Sequence, residues 1–95
     1  MILPIAERLK LIRESERLSR SQASKEWKLK EDALWRYENS KTIPNADVMT
    51  NILSHPRFEK YSLWFITGKT MPEVGLIAPA LYDAKNYENK QEESA

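Results

Sequence analysis

The chain has 95 residues and a formal net charge of +1, a length that we expect to form one small domain with no room for a second. It contains no cysteine, which excludes disulfides, thiol catalysis and a cysteine-based zinc site. No apolar run approaches the roughly 20 residues of a membrane-spanning helix, so we expect a cytoplasmic protein with no membrane contact.

The charges are unevenly distributed along the chain. Residues 1–72 contain 13 Lys and Arg against 9 Asp and Glu, whereas residues 73–95 contain 2 against 5. An acidic tail therefore masks a mildly basic body, and a basic body is compatible with a nucleic-acid partner.

The first predicted helix begins at Pro4, a residue suited to a first helical turn. Ile5, Leu9 and Ile12 recur at helical spacing and are expected to face the core. Four basic residues flank this stripe, and they serve either as a solvated face or as phosphate contacts: Arg8, Lys10, Arg13 and Arg17.

Two short helices are predicted next. Ser19 and Gln22 have the spacing of a capping box, so a helix should begin near residue 20, with Ala23 and Trp27 on its buried face. A second helix should follow from residue 31, because two acids favour a helix start and later apolar residues recur at helical spacing. The three to four residues between the helices match the helix-turn-helix motif.

This segment resembles the helix-turn-helix of the phage-repressor and Cro-like family, often called the XRE type. The resemblance extends over residues 5–70 and is carried mainly by Leu18, Ser19, Leu29, Leu34, Arg36, Tyr37, Glu38, Asn39, Lys41 and Pro44. It implies an all-α fold of five helices over residues 1–70. Residues 71–95 would be a C-terminal extension and a candidate for dimerisation, with its last residues disordered. At the turn, Lys28 occupies a position where the family usually has glycine.

The resemblance also implies a function, namely that the chain binds a palindromic DNA operator as a homodimer, regulates transcription and needs no cofactor. The second helix of the motif, residues 31–39, would lie in the major groove. Its exposed positions are expected to contact bases: Glu31, Asp32, Trp35 and Arg36. Arg36 suits guanine, the acids suit the cytosine amine, and Trp35 suits a thymine methyl. Flanking polar residues are expected to contact phosphates: Arg20, Lys28, Lys30, Asn39, Lys41 and Thr42.

The rest of the chain is predicted to contain two further helices and a less regular tail. Asn45 should cap a fourth helix over residues 46–54, and a fifth should run from about residue 57 to residue 67 and end at Gly68. Residues 71–79 are expected to be extended. Pro79 can then begin a short helix that reaches about residue 89.

Two alternatives use the same fold for a protein partner. One is an anti-repressor-like module whose acidic, Trp-bearing helix faces a protein. The other is the antitoxin of a toxin–antitoxin pair. An enzyme is not expected, because the sequence lacks a Gly-rich phosphate loop, a Ser/His/Asp set and metal-ligand spacing.

Overall fold

The computed structural model describes residues 3–82. They contain five α-helices: α1 (Ile5–Ser15), α2 (Arg20–Glu26), α3 (Glu31–Glu38), α4 (Ala46–Ser54) and α5 (Ser62–Thr67). Two short 3₁₀ helices lie at Glu59–Tyr61 and Pro72–Val74. Strand-like pairing within residues 3–82 is limited to one antiparallel bridge between Met71 and Leu76, so the expected all-α class is confirmed.

The core lies where all five helices meet. Its largest fully buried side chains come from every helix or from the segments between them: Leu9, Ile12, Trp27, Leu34, Ile52, Phe58, Trp64 and Phe65. The stripe predicted on the first helix is confirmed, because Leu9 and Ile12 are completely buried and Ile5 packs against them at the edge.

The helix starts follow the predicted capping residues. Ser19 Oγ accepts a hydrogen bond from the Gln22 amide at 3.1 Å, and Gln22 Oε1 accepts one from the Ser19 amide at 2.9 Å, which completes the capping box. Asn45 Oδ1 accepts from the Val48 amide at 2.9 Å at the start of α4. These side chains satisfy backbone donors that the helix itself leaves free.

Helices α1, α2 and α3 all end in the same way, with a left-handed residue that is not glycine. Arg17, Lys28 and Ser40 have φ values of 58°, 54° and 58°. In each case the amide of the following residue donates a hydrogen bond to a carbonyl in the last turn of the helix. The Leu29 amide, for example, donates to the Ser24 carbonyl at 2.8 Å. This is the Schellman arrangement, in which glycine is favoured because a Cβ atom is strained there.

The fifth helix is shorter than predicted. The expectation of one helix from residue 57 is wrong, because residues 55–58 form a turn in which the Phe58 amide donates to the His55 carbonyl at 2.8 Å. Phe58 is fully buried, with its ring centroid 4.8 Å from that of Trp27. The predicted end is correct, because Gly68 adopts a left-handed φ of 77° after α5.

Residues 71–82 fold back onto the helices. The predicted extended connection is wrong at its start, where the Met71–Leu76 bridge closes a tight turn around the second 3₁₀ helix. The chain is then held by the Lys60 carbonyl, which accepts from the Ile77 amide at 2.9 Å, and by ring contact between Tyr82 and Trp64 at 5.1 Å. The helix predicted from Pro79 does not begin within the described residues, because residues 79–82 form a turn in which the Tyr82 amide donates to the Pro79 carbonyl at 3.0 Å; its remainder, to about residue 89, lies outside them. No helix within residues 3–82 combines the length and apolar character needed to cross a membrane.

Candidate nucleic-acid interface

Helices α2 and α3 are joined by the turn at residues 27–30 and together form the predicted motif. Trp27 anchors the turn because its side chain is completely buried. Its carbonyl accepts a hydrogen bond of 2.6 Å from Asn51 Nδ2 on α4, so the end of α2 is also tied to the next layer of the fold. Lys28 then reverses the chain toward α3 through its left-handed conformation.

Helix α3 has one buried and one exposed side. Leu34 is completely buried and Tyr37 is partly buried against the core. The four predicted base-contacting residues all lie on the exposed side: Glu31, Asp32, Trp35 and Arg36. They form two pairs four residues apart, which places them as neighbours along one face of the helix. Trp35 is 40% exposed, a large fraction for a tryptophan in a small domain.

An ion pair lies within this exposed face. Asp32 Oδ2 accepts a hydrogen bond from Arg36 Nε at 3.2 Å, one helical turn away. Both side chains are more than half exposed, so the pair contributes little to folding and its atoms face the solvent.

The predicted phosphate-contacting residues divide into two groups. Lys28, Lys30, Lys41 and Thr42 are exposed around α3. Asn39 and Arg20, in contrast, already have structural roles. Asn39 Nδ2 donates to the Trp35 carbonyl at 2.8 Å and closes the end of α3. Arg20 Nε lies 3.4 Å from Glu38 Oε1, an ion pair without a well-formed hydrogen bond.

The position of α3 depends on a buried ion pair that the sequence pattern did not reveal. Arg13 on α1 donates from Nε and Nη2 to both carboxylate oxygens of Glu38, at 2.7 and 2.8 Å. Its third donor, Nη1, bonds the Leu18 carbonyl at 2.8 Å. The two side chains are only 8% and 2% exposed. This fork clamps the C-terminal end of α3 to α1.

The prediction that the basic residues of the first helix and its end form one exposed surface is therefore wrong for Arg8 and Arg13. Arg13 is in the core, and Arg8 donates to the Phe65 carbonyl at 2.6 Å while its guanidinium lies over the Phe65 ring. Lys10 and Arg17 remain exposed. Two signals for the buried pair did exist in the sequence, since Arg13 lies four residues after Leu9 on the apolar stripe and Glu38 belongs to the residues that carry the family resemblance.

A second polar cluster fixes the loop after α1 to the first 3₁₀ helix. Glu16 accepts from Arg57 Nε at 2.9 Å and from the Tyr61 hydroxyl, and Lys60 Nζ lies 3.0 Å away. Burial by itself would raise the pKa of Glu16, but the hydrogen bonds from Tyr61, Arg57 and Lys60 outweigh it, so the pKa falls below its ordinary value. Burial and the Glu16 carboxylate together raise the pKa of Tyr61.

Five packed helices, with α2 and α3 joined by a four-residue turn and α3 exposed along one side, define a helix-turn-helix protein. No protein-family model matches the chain. The chain is 47% identical over 77 residues to Repressor protein C of Escherichia phage P2, over 81% of this chain and 78% of that protein. It therefore belongs to the phage-repressor family.

Proposed function

We propose that this protein is a transcriptional repressor that binds a specific DNA operator through α3 and acts in the cytoplasm. The observation that carries the proposal is the exposed face of α3, where Arg36 and Trp35 lie one helical turn beyond the acids and are flanked by exposed lysines. The phage P2 relative is named a repressor, which supports the same role for this chain.

An α-helix fits the major groove, where side chains on its outer face reach the edges of the bases. Arg36 would donate to a guanine, and Glu31 would accept from a cytosine amine. Lys28, Lys30, Lys41 and Thr42 would hold the phosphates on either side, which fixes the position of α3 without specifying sequence. Arg20 and Asn39 would contact phosphates only with donors that their intramolecular contacts leave free.

We also propose that the protein binds as a homodimer to a roughly palindromic operator. Two-fold symmetry would place the two α3 helices in half-sites about 34 Å apart, one turn of DNA. Several large apolar side chains are exposed in the part of residues 3–82 that runs from α5 to the end: Ile66, Met71, Val74, Ile77 and Leu81. Exposed apolar area away from α3 supports a subunit contact in this part of the chain.

The test is selection from a random duplex pool, followed by titration of the winning duplex across a salt series. The proposal predicts a symmetric motif and a log–log salt slope of about −0.9 per phosphate contacted, for roughly four to eight contacts. Lys30→Ala should make the slope shallower by about 0.9 for each phosphate that Lys30 neutralises in the parent complex. Lys25→Ala is the matched control, because Lys25 is an exposed lysine on α2 that is assigned neither to DNA nor to the subunit contact. Absence of enrichment and of salt-dependent binding would contradict the proposal.

A protein partner for the same face is the second candidate, and it is favoured by one observation. The first exposed turn of α3 carries two acids beside a half-exposed Trp35, a combination that suits a basic, apolar protein surface as well as DNA. This candidate predicts that the parent binds no duplex. It also predicts that Glu31→Gln combined with Asp32→Asn creates a DNA affinity that the parent lacks.

A further inference from the structure

We propose that Asp32 is a positioning residue for base recognition. It holds the Arg36 guanidinium in the orientation in which both Nη groups donate to O6 and N7 of a single guanine. The inference rests on the proposed function, and it assigns Asp32 a role other than direct contact with a base.

The atoms used by the ion pair carry the argument. Asp32 accepts a hydrogen bond of 3.2 Å from Arg36 Nε, the guanidinium nitrogen that is bonded to the aliphatic part of the side chain. No described residue accepts a hydrogen bond from Nη1 or Nη2 of Arg36, and the side chain is 55% exposed. The ion pair therefore restrains the plane of the guanidinium and leaves free the two groups that fork onto a guanine.

The pair also explains how an acid can occupy this face. A lone carboxylate that points at DNA is repelled by the phosphates and weakens binding. Asp32 is instead balanced by Arg36 within the same helix, and it lowers the entropy that Arg36 loses on binding because the side chain is already ordered. Glu31 lies one residue earlier, where its neighbour one turn on is the uncharged Trp35.

Glu31 consequently provides a matched control. Asp32→Ala and Glu31→Ala each remove one exposed carboxylate from the first turn of α3, so both lower the general repulsion from DNA equally. Only Asp32→Ala removes the restraint on Arg36. The experiment measures the affinity of the parent and both variants for the selected operator and for a set of duplexes in which each base pair is changed in turn.

The proposal predicts that the parent prefers guanine at one position in each half-site by about 5- to 150-fold, the range for a forked arginine contact. Asp32→Ala should reduce that preference by about 2- to 10-fold, the cost of ordering one long side chain, and leave the other positions unchanged. Glu31→Ala should keep the guanine preference and relax only the different position at which Glu31 accepts from a cytosine amine. In an Arg36→Ala background, Asp32→Ala should have no further effect at that position.

Three results would overturn the inference. In the first, Asp32→Ala and Glu31→Ala have the same effect at every position. In the second, Asp32→Ala relaxes a position that Arg36→Ala does not, which would mean that Asp32 contacts a base itself. In the third, the parent selects no duplex at all, which overturns the proposed function and this inference with it. Circular dichroism of each variant checks that α3 remains folded.

Discussion

The buried pair of Arg13 and Glu38 makes a sharp prediction about stability. Glu38→Gln keeps the shape of the side chain but removes the charge that balances a guanidinium only 8% exposed. An uncompensated buried charge costs about 3–5 kcal/mol, against a total stability of about 5–14 kcal/mol for a domain of this length. The melting temperature should fall by at least about 10 °C.

Urea unfolding followed by tryptophan fluorescence measures this loss, and Asp32→Asn is the matched control. That variant breaks an ion pair whose side chains are 55% and 77% exposed, so the change should stay within about 0.5 kcal/mol. Replacing both partners, as Arg13→Met with Glu38→Leu, should recover much of the loss because no charge is left unpaired. If Glu38→Gln costs less than about 1 kcal/mol, the pair does not clamp α3 to α1.

The other predictions concern the left-handed turns and the Glu16 cluster. Lys28→Gly should stabilise the fold by about 1 kcal/mol in thermal melts by relieving the strain at φ 54°, yet weaken DNA binding and flatten its salt slope. Ser40→Gly, at φ 58°, should stabilise by a similar amount and leave the slope unchanged; a loss of stability in both would refute the strain argument. Because the pKa of Glu16 lies below its ordinary value of 4.5 in the folded chain, its contribution to stability is complete above pH 4.5 and is lost as the pH falls through the folded pKa. Urea unfolding between pH 3 and 7 should therefore show a weaker acid dependence for Glu16→Gln than for the parent, and an unchanged dependence would contradict the assigned hydrogen bonds. Tyr61→Phe should cost about 1 kcal/mol at pH 7 because the hydrogen bond to Glu16 is removed, whereas a neutral result would mean that this hydrogen bond does not stabilise the fold.

The elements that could be predicted from sequence are those set by local rules. The capping box at Ser19 and the cap at Asn45 fix helix starts through contacts three residues apart, and the glycine at residue 68 fixes the end of α5. The exposed face of α3 follows from helical periodicity alone. Its four predicted residues do lie together on that face, although their contact with bases stays a prediction.

The remaining features depend on contacts between distant parts of the chain. Helical spacing places Arg13, four residues after Leu9, on the buried face of α1 and leaves Lys10 outside it, but nothing local shows that Arg13 forms a buried fork with a carboxylate 25 residues away. The late start of α5 has a similar cause, because Phe58 packs on Trp27 instead of continuing a helical stripe. The strained ends of α1 and α3 escaped prediction because Arg17 and Ser40 do not belong to the residue types that favour a left-handed conformation.

The most direct test of the central claim, that α3 lies in the major groove with Arg36 on a guanine, is methylation protection on the selected operator. The methylating reagent, dimethyl sulfate, attacks guanine N7 in the major groove and adenine N3 in the minor groove. The parent should protect one guanine N7 in each half-site and leave adenine N3 reactive, and Arg36→Ala should lose that protection while Lys25→Ala keeps it. Protection that survives Arg36→Ala, or that appears only at adenine N3, would contradict the account.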